Sequence, residues 1–364
     1  MKNTFGNNVT LTIFGESHGN AVGAVIDGLA PGIPVDNGFI AHQLSLRRPS
    51  GEISTSRAEK DEYIIESGVF GGKTTGTPIC IIILNETQNS RDYSAIKSKA
   101  RPGHADYSAF CKYHGFEDYR GGGHFSGRVT AAVVAAGAIL ISALAAKDIY
   151  IGTHILNCAG ITDRAFGNYT DDIKALGKMS FPVLDGTAAE KMQEAIIAAK
   201  SDSDSVGGIL QTVIYNLPAG LGEPYFDSLE SLLAHALFSV GGVKGIEFGA
   251  GFGFAAMRGS EANDGFIKDE SGKIITVTNN NAGINGGITN GMPIIFNCAV
   301  KPVSSIYKKQ STVDFTEREN TVLEITGRHD PCIVHRARIV VDSLCALVLC
   351  DILSGRYGTD YLMQ

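Results

Sequence analysis

Apolar residues alternate with polar or small ones from Val9 to Phe14, and Ala21 to Ile26 repeats the habit on the far side of the turn Gly15-Glu16-Ser17-His18-Gly19. A two-residue period predicts half-buried strands on both sides of that turn. The spacing becomes helical over Asp36 to Leu46, with Asp36 placed as N-cap. Strands are predicted for Tyr63 to Val69 and Pro78 to Leu84, joined by a small-residue turn, whereas Asn85 to Phe125 has little periodicity. A helix apolar on all sides follows from about Arg128 to Lys147. Then come a strand from Tyr150 to Cys158 and an amphipathic helix from Ala188 to Lys200, with Met192, Ile196 and Ile197 on one side. A strand at Gly208 to Tyr215, a helix at Leu229 to Phe238 and a glycine-interrupted strand at Gly245 to Ala256 come next. Strands at Ile274 to Thr278 and Pro293 to Val300 precede a second apolar helix, Arg338 to Leu353.

Strands, helix, strands, helix is not the alternation of a doubly wound sheet. The halves have similar layouts and no stretch reads as a linker. One domain spanning 1–364 is therefore expected, built of two similar halves, with mobile loops near 47–57, 85–125 and 303–330. Val129 to Ala146 approaches membrane-spanning length, yet its Ala and Gly content suits a helix at the centre of a large fold. No membrane association is expected.

Composition narrows the chemistry. The seven cysteines are odd in number and contain no Cys-x-x-Cys pair, so reduced thiols in a cytoplasmic protein are expected. No apolar leader opens the chain. The nine histidines form no His-x-x-x-His pair, and no metal is expected. A net charge of −7 without a basic, aromatic-interleaved stripe argues against nucleic acid.

Against that acidic background, arginines and histidines gather in glycine-flanked loops: Gly15 to Gly19, Arg47-Arg48-Pro49, Arg101 to Asp106, Arg120 to His124 and Gly327 to Pro331. Glycine lets a backbone approach a ligand closely, so these loops predict a small ligand with several negative charges. His18 is a candidate for proton transfer near neutral pH. His104 lies between Arg101, an anion binder, and Asp106, which could orient the ring. Arg120 and Arg128 bracket a triple glycine at a helix start, an arrangement that attracts phosphate, although neither a Walker loop nor Gly-x-Gly-x-x-Gly is present. Arg47 and Arg48 end a helix, where cations also complement the helix dipole. Lys301 to Ser305 and Arg328 to Pro331 combine cations with turn residues. Asp351 interrupts an apolar helix and must be paired, protonated or functional; Asp342 is expected to be exposed.

Together and in this order, the segments closely resemble the chorismate synthase family. The match includes Phe14 to Gly19, Ser67 to Phe70, Thr74 to Ile79, Asp92-Tyr93-Ser94, Arg101 to Tyr107, Asp118 to Gly123, Asp204 to Gly208, Pro218 to Pro224, Val243 to Glu247, Lys301-Pro302 and Gly327 to Cys332. The resemblance implies an α+β fold, a β-α-β sandwich with central helices between two antiparallel sheets, assembled as a homotetramer. It implies a phosphate lyase of the shikimate pathway and aromatic amino acid biosynthesis. The reaction is a 1,4-elimination that turns 5-enolpyruvylshikimate 3-phosphate into chorismate, requiring reduced FMN without net redox change. A separate flavin reductase, or an NADPH-dependent activity of the chain itself, would supply the reduced flavin; a non-catalytic anion-binding module is the alternative outside enzymes.

By matching position, His18 is expected to protonate or neutralise the flavin, and His104 to act beside the leaving phosphate. Asp351 is expected to assist removal of the substrate proton. Arg47, Arg48, Arg128 and Arg336 would clamp substrate anions. His124, Phe125, Ser126, Gly241, Gly242, Gly286, Lys301, Pro302, Val303, Ser304, Ser305 and Arg328 would line the flavin. The chain departs from the family pattern where His124 replaces an arginine, Val129 a glutamate and Ile53 a further arginine. His124 is expected to stand in for the missing arginine.

Overall fold

The computed structural model describes residues 2–49, 51–55, 60–86, 97–325 and 329–363. Two five-stranded antiparallel sheets form the outer layers. The first has the spatial order Thr4–Phe5, Thr10–Gly15, Ala21–Asp27, Ile79–Leu84 and Tyr63–Ile65. The second runs Val243–Phe248, Ile294–Val300, Gly208–Tyr215, Tyr150–Cys158 and Ile161–Thr162. Helix Thr130–Ala145 lies on the first sheet and helices Leu229–Leu237 and Val334–Tyr357 on the second, while helix Asn37–Arg47 packs against the Thr130–Ala145 and Val334–Tyr357 helices. The two apolar helices pack on each other, and one hydrophobic core runs through both sheets. The expected β-α-β sandwich is the observed architecture.

Strand alternation accounts for the layering. Val22, Ala24 and Ile26 from one strand and Ile79, Ile81 and Ile83 from its neighbour face the helices and are buried. The Thr130–Ala145 helix meets protein on all sides, as its uniform apolarity requires. Its segment Gly127–Ala145 is long and apolar enough to cross a membrane, and 78% of it is buried inside the fold. Gly137 marks its closest approach to the second apolar helix: a Cβ there would fall 2.2 Å from Ser343 Cβ. Gly137→Ala is therefore expected to lower stability by about 1–3 kcal/mol through overpacking, despite alanine's better helix propensity; a thermal melt measures it.

Several elements differ from the sequence expectation. Asp36 does cap its helix, accepting from Gly38 and Phe39 N–H groups. Helices at Asp106–Tyr113 and Tyr169–Leu176, and a hairpin pairing Gln310–Asp314 with Glu319–Leu323, occupy stretches read as irregular or left unread. The strand expected through Ala256 stops at Phe248, because Gly249 and Gly251 turn left-handed and a 3-10 turn begins. Asp342 is buried rather than exposed: Thr153 donates to it at 2.6 Å, and burial pushes its carboxyl up to about 6. All seven cysteines are free; Cys158 and Cys332 sulfurs lie 3.9 Å apart, unbonded.

Candidate active site

The His18 turn connects the two central strands of the first sheet and packs on the triple glycine. Ser17 N–H donates to Gly123 carbonyl at 3.0 Å, and His124 Nδ1–H donates to Gly15 carbonyl at 2.8 Å. Gly121 and Gly122 both have left-handed φ, +59° and +84°. A Cβ on Gly121 would lie 2.3 Å from the buried His18 ring, and one on Gly122 would lie 3.3 Å from His104 Cε1 and 3.4 Å from its Nε2. Only glycine permits both imidazoles to press against one turn.

His104 is held from behind. Its Nδ1 lies 2.8 Å from Asp106 Oδ1, so Nδ1 carries a proton and the Nε2 edge faces the glycines. Arg101 grips the same carboxylate through Nε at 2.8 Å and Nη2 at 2.7 Å. Burial works against ionising Asp106, but the hydrogen bonds from Arg101 and His104 win and hold it far below the usual carboxylate range. The carboxylate therefore fixes the orientation of the His104 ring from behind. A small cavity of about 30 Å³ opens here, lined by Arg101, His104, Gly122, Phe125 and Phe315 among others.

The arginines form a second cluster. Asp61, fully enclosed, receives Arg47 Nη2 at 2.7 Å and also pairs with Arg128 Nη1. Desolvation opposes its charge, but the two guanidinium groups hold its carboxyl below the ordinary value. Arg128 further donates to Asn85 Oδ1 at 2.8 Å and Leu84 carbonyl at 3.1 Å. Arg336 donates to Arg47 carbonyl at 2.7 Å and pairs with Asp330. Arg48 lines an adjoining open groove with Lys60, Glu62 and Tyr63.

These clusters join in a closed circuit of contacts. Asn85 Nδ2 donates to the Glu16 and Gly19 carbonyls, both at 2.9 Å, tying the arginine cluster to the His18 turn. From His104 the circuit continues through Gly103, whose carbonyl accepts from Lys301 Nζ and from Ser304 Oγ. Ser205 Oγ donates to Val303 carbonyl at 2.8 Å, and Val206 N–H to Pro331 carbonyl at 2.9 Å, which leads back to Asp330 and Arg336. Gly242 joins by accepting Lys301 N–H at 2.9 Å, beside Gly241 in the same turn; Pro302 and Ser305 belong to the 301–305 segment. Ser126 caps the Gly127–Val129 turn, its hydroxyl accepting the Arg128 N–H.

Two candidates, Asp351 and Gly286, stand apart. Asp351 anchors the start of the chain: it accepts N–H groups of Asn7, Asn8 and Val9 at 3.0, 2.6 and 3.1 Å. These residues begin the strand whose far end carries the His18 turn, about 20 Å away at ~3.3 Å per residue. The hairpin carrying Gly286 packs on the Gly222–Leu229 turn and is not a member of the circuit. Arg328 and the motif Asp92-Tyr93-Ser94 lie outside the described residues. Sequence reasoning missed Asp61, Asn85 and Asp330. Asp330 had a signal, its place in a glycine-flanked cationic loop; Asp61 sits in the charged run Glu59-Lys60-Asp61-Glu62, whose local pattern gives no sign of burial.

Two imidazoles, one backed by a carboxylate, and a ring of guanidinium groups define an enzyme site for a polyanion. The comparisons make the class specific. The family description "Chorismate synthase" matches residues 9–353. Chorismate synthases of Pyrococcus abyssi (45% identical over 357 residues, 94% of this chain and 95% of that one) and Methanosarcina mazei (45% over 350 residues, 96% and 95%) are close relatives in sequence. A crystal structure of chorismate synthase superposes with a TM-score of 0.76 at 28% identity, covering 97% of this chain and 94% of that chain. The chain belongs to the chorismate synthase family.

Proposed function

We propose that the protein is a phosphate lyase that converts 5-enolpyruvylshikimate 3-phosphate to chorismate and phosphate by 1,4-elimination, with reduced FMN bound and no net redox change. The observation that carries this reading is the convergence of His18 and His104 on the Gly121–Gly122 turn, inside a circuit of arginines. The donors present suit FMN. Lys301 and Ser304 offer an ammonium and a hydroxyl of the kind that bind phosphate, and the half-exposed Phe125 ring beside glycines offers a flat apolar wall. His124, Ser126, Gly241, Gly242 and Lys301 to Ser305 are the residues assigned to hold it, with Gly286 and Arg328 kept as expectations. When bound, reduced FMN supplies electron density to the ring that loses phosphate.

In the elimination the carbon–oxygen bond to phosphate breaks, a ring proton leaves and a double bond forms. His104, oriented by Asp106, gives the departing phosphate a proton or a hydrogen-bond donor at Nε2. Arg47, Arg48 and Arg336 hold the carboxylates and phosphate, while Arg128 braces Arg47 through Asp61. His18 holds positive charge against the flavin. The proton-removal role expected of Asp351 passes to Asp330, the carboxylate beside Arg336 and Arg47. A cytoplasmic homotetramer and a separate reductase as the flavin's electron source complete the proposal; exposed Phe252, Phe266, Ile267, Ile274 and Val277 support self-association. Incubating the protein with the enolpyruvyl substrate and dithionite-reduced FMN is expected to release chorismate and phosphate in equal amounts, and neither with oxidised FMN. Equal product without flavin would overturn the reading.

A further inference from the structure

We infer that Asp61 is a positioning residue for substrate binding: it is the shared counter-ion that fixes Arg47 and Arg128 relative to each other. Two guanidinium groups brought together out of water repel, and neither would hold a defined orientation without an anion between them. Asp61 supplies that anion from a side chain with no exposure, using one carboxylate oxygen for each arginine. The remaining donors of Arg128 are directed at Asn85 and Leu84, so its place is set by the protein alone. Arg47 is anchored at Asp61 and at the Gly127 carbonyl, 3.4 Å away, next to the turn that carries the triple glycine. Its own carbonyl accepts from Arg336 at 2.7 Å. Asp61 thereby transmits one geometry to the whole anion-facing side of the circuit. It holds an aspartate in the left-handed region, φ +52°, a conformation glycine adopts at no steric cost.

That backbone conformation provides an unusually clean test, which rests on the proposed lyase reading. Asp61→Gly relaxes the backbone and removes a group equal in size to acetate. The expected result is a rise in substrate KM of roughly 30-fold or more, a smaller change in kcat, unchanged FMN affinity, and recovery of KM when acetate is added to refill the vacated space. Asp61→Asn, which fills the space without the charge, is expected to raise KM and to ignore acetate; it also serves if the glycine variant fails to fold. An unchanged or lower KM in either soluble variant would overturn the assignment, as would loss of FMN affinity together with substrate affinity, or a glycine variant that acetate leaves unrestored. Turnover by the unaltered protein in the same assay separates the two claims. Its absence would overturn the lyase reading, whereas its presence beside an unaffected variant would overturn the role of Asp61 alone.

Discussion

His104→Ala is expected to lower kcat by about 10²–10⁴-fold, the range that a positioned proton donor contributes, while the fold stays intact. The expectation follows from geometry. Asp106 fixes Nδ1 as a donor, Arg101 fixes Asp106, and the Nε2 edge is left facing Gly122 at the cavity wall. Asp106 orients the imidazole through Nδ1, so Asp106→Asn, which keeps an oxygen acceptor of the same size, is expected to retain part of the activity. Single-turnover phosphate release, followed across pH for both variants, checks the pair. A His104→Ala protein with wild-type turnover would remove His104 from the chemistry.

Gly121→Ala is expected to cost nearly as much through one added methyl group, at about 10²-fold or more in kcat. The methyl would meet the His18 ring at 2.3 Å, inside any allowed contact, and must displace it. The left-handed φ of +59° adds a backbone penalty of about 1–2 kcal/mol. Gly160→Ala is the matched control: its φ is +83° and a methyl there meets open space. Both variants share the backbone penalty, Gly121→Ala is expected to melt lower through its added clash, and turnover is expected to be lost in Gly121→Ala alone. Equal turnover in the two would mean that His18 does not need the place the triple glycine gives it.

Most of the fold was legible because its signals are local. The Gly208–Tyr215 and Tyr150–Cys158 strands carry their pattern within their own residues, as does the helix capped by Asp36. The Asp106–Tyr113 helix was not legible, since it has no side-chain cap and its only buried residue is Ala109. The site divides along the same line. His18, His104 and Arg128 announced themselves by sitting in glycine-flanked loops. Asp61 and Asp351 could not be told apart by local context, because a carboxylate's role depends on what the fold brings to it. Asp61 lies in a charged run and meets two arginines from distant segments, whereas Asp351 lies in an apolar helix and meets three backbone N–H groups at the start of the chain.

A crystal structure of the protein with oxidised FMN and the enolpyruvyl substrate bound together measures the central claim most directly. The expected result is one shared cavity, with the flavin against His18 and the 301–305 segment, and the substrate phosphate within hydrogen-bond reach of His104. Both ligands seated in the groove beside Arg48 and Tyr63, with neither imidazole in contact, would contradict it.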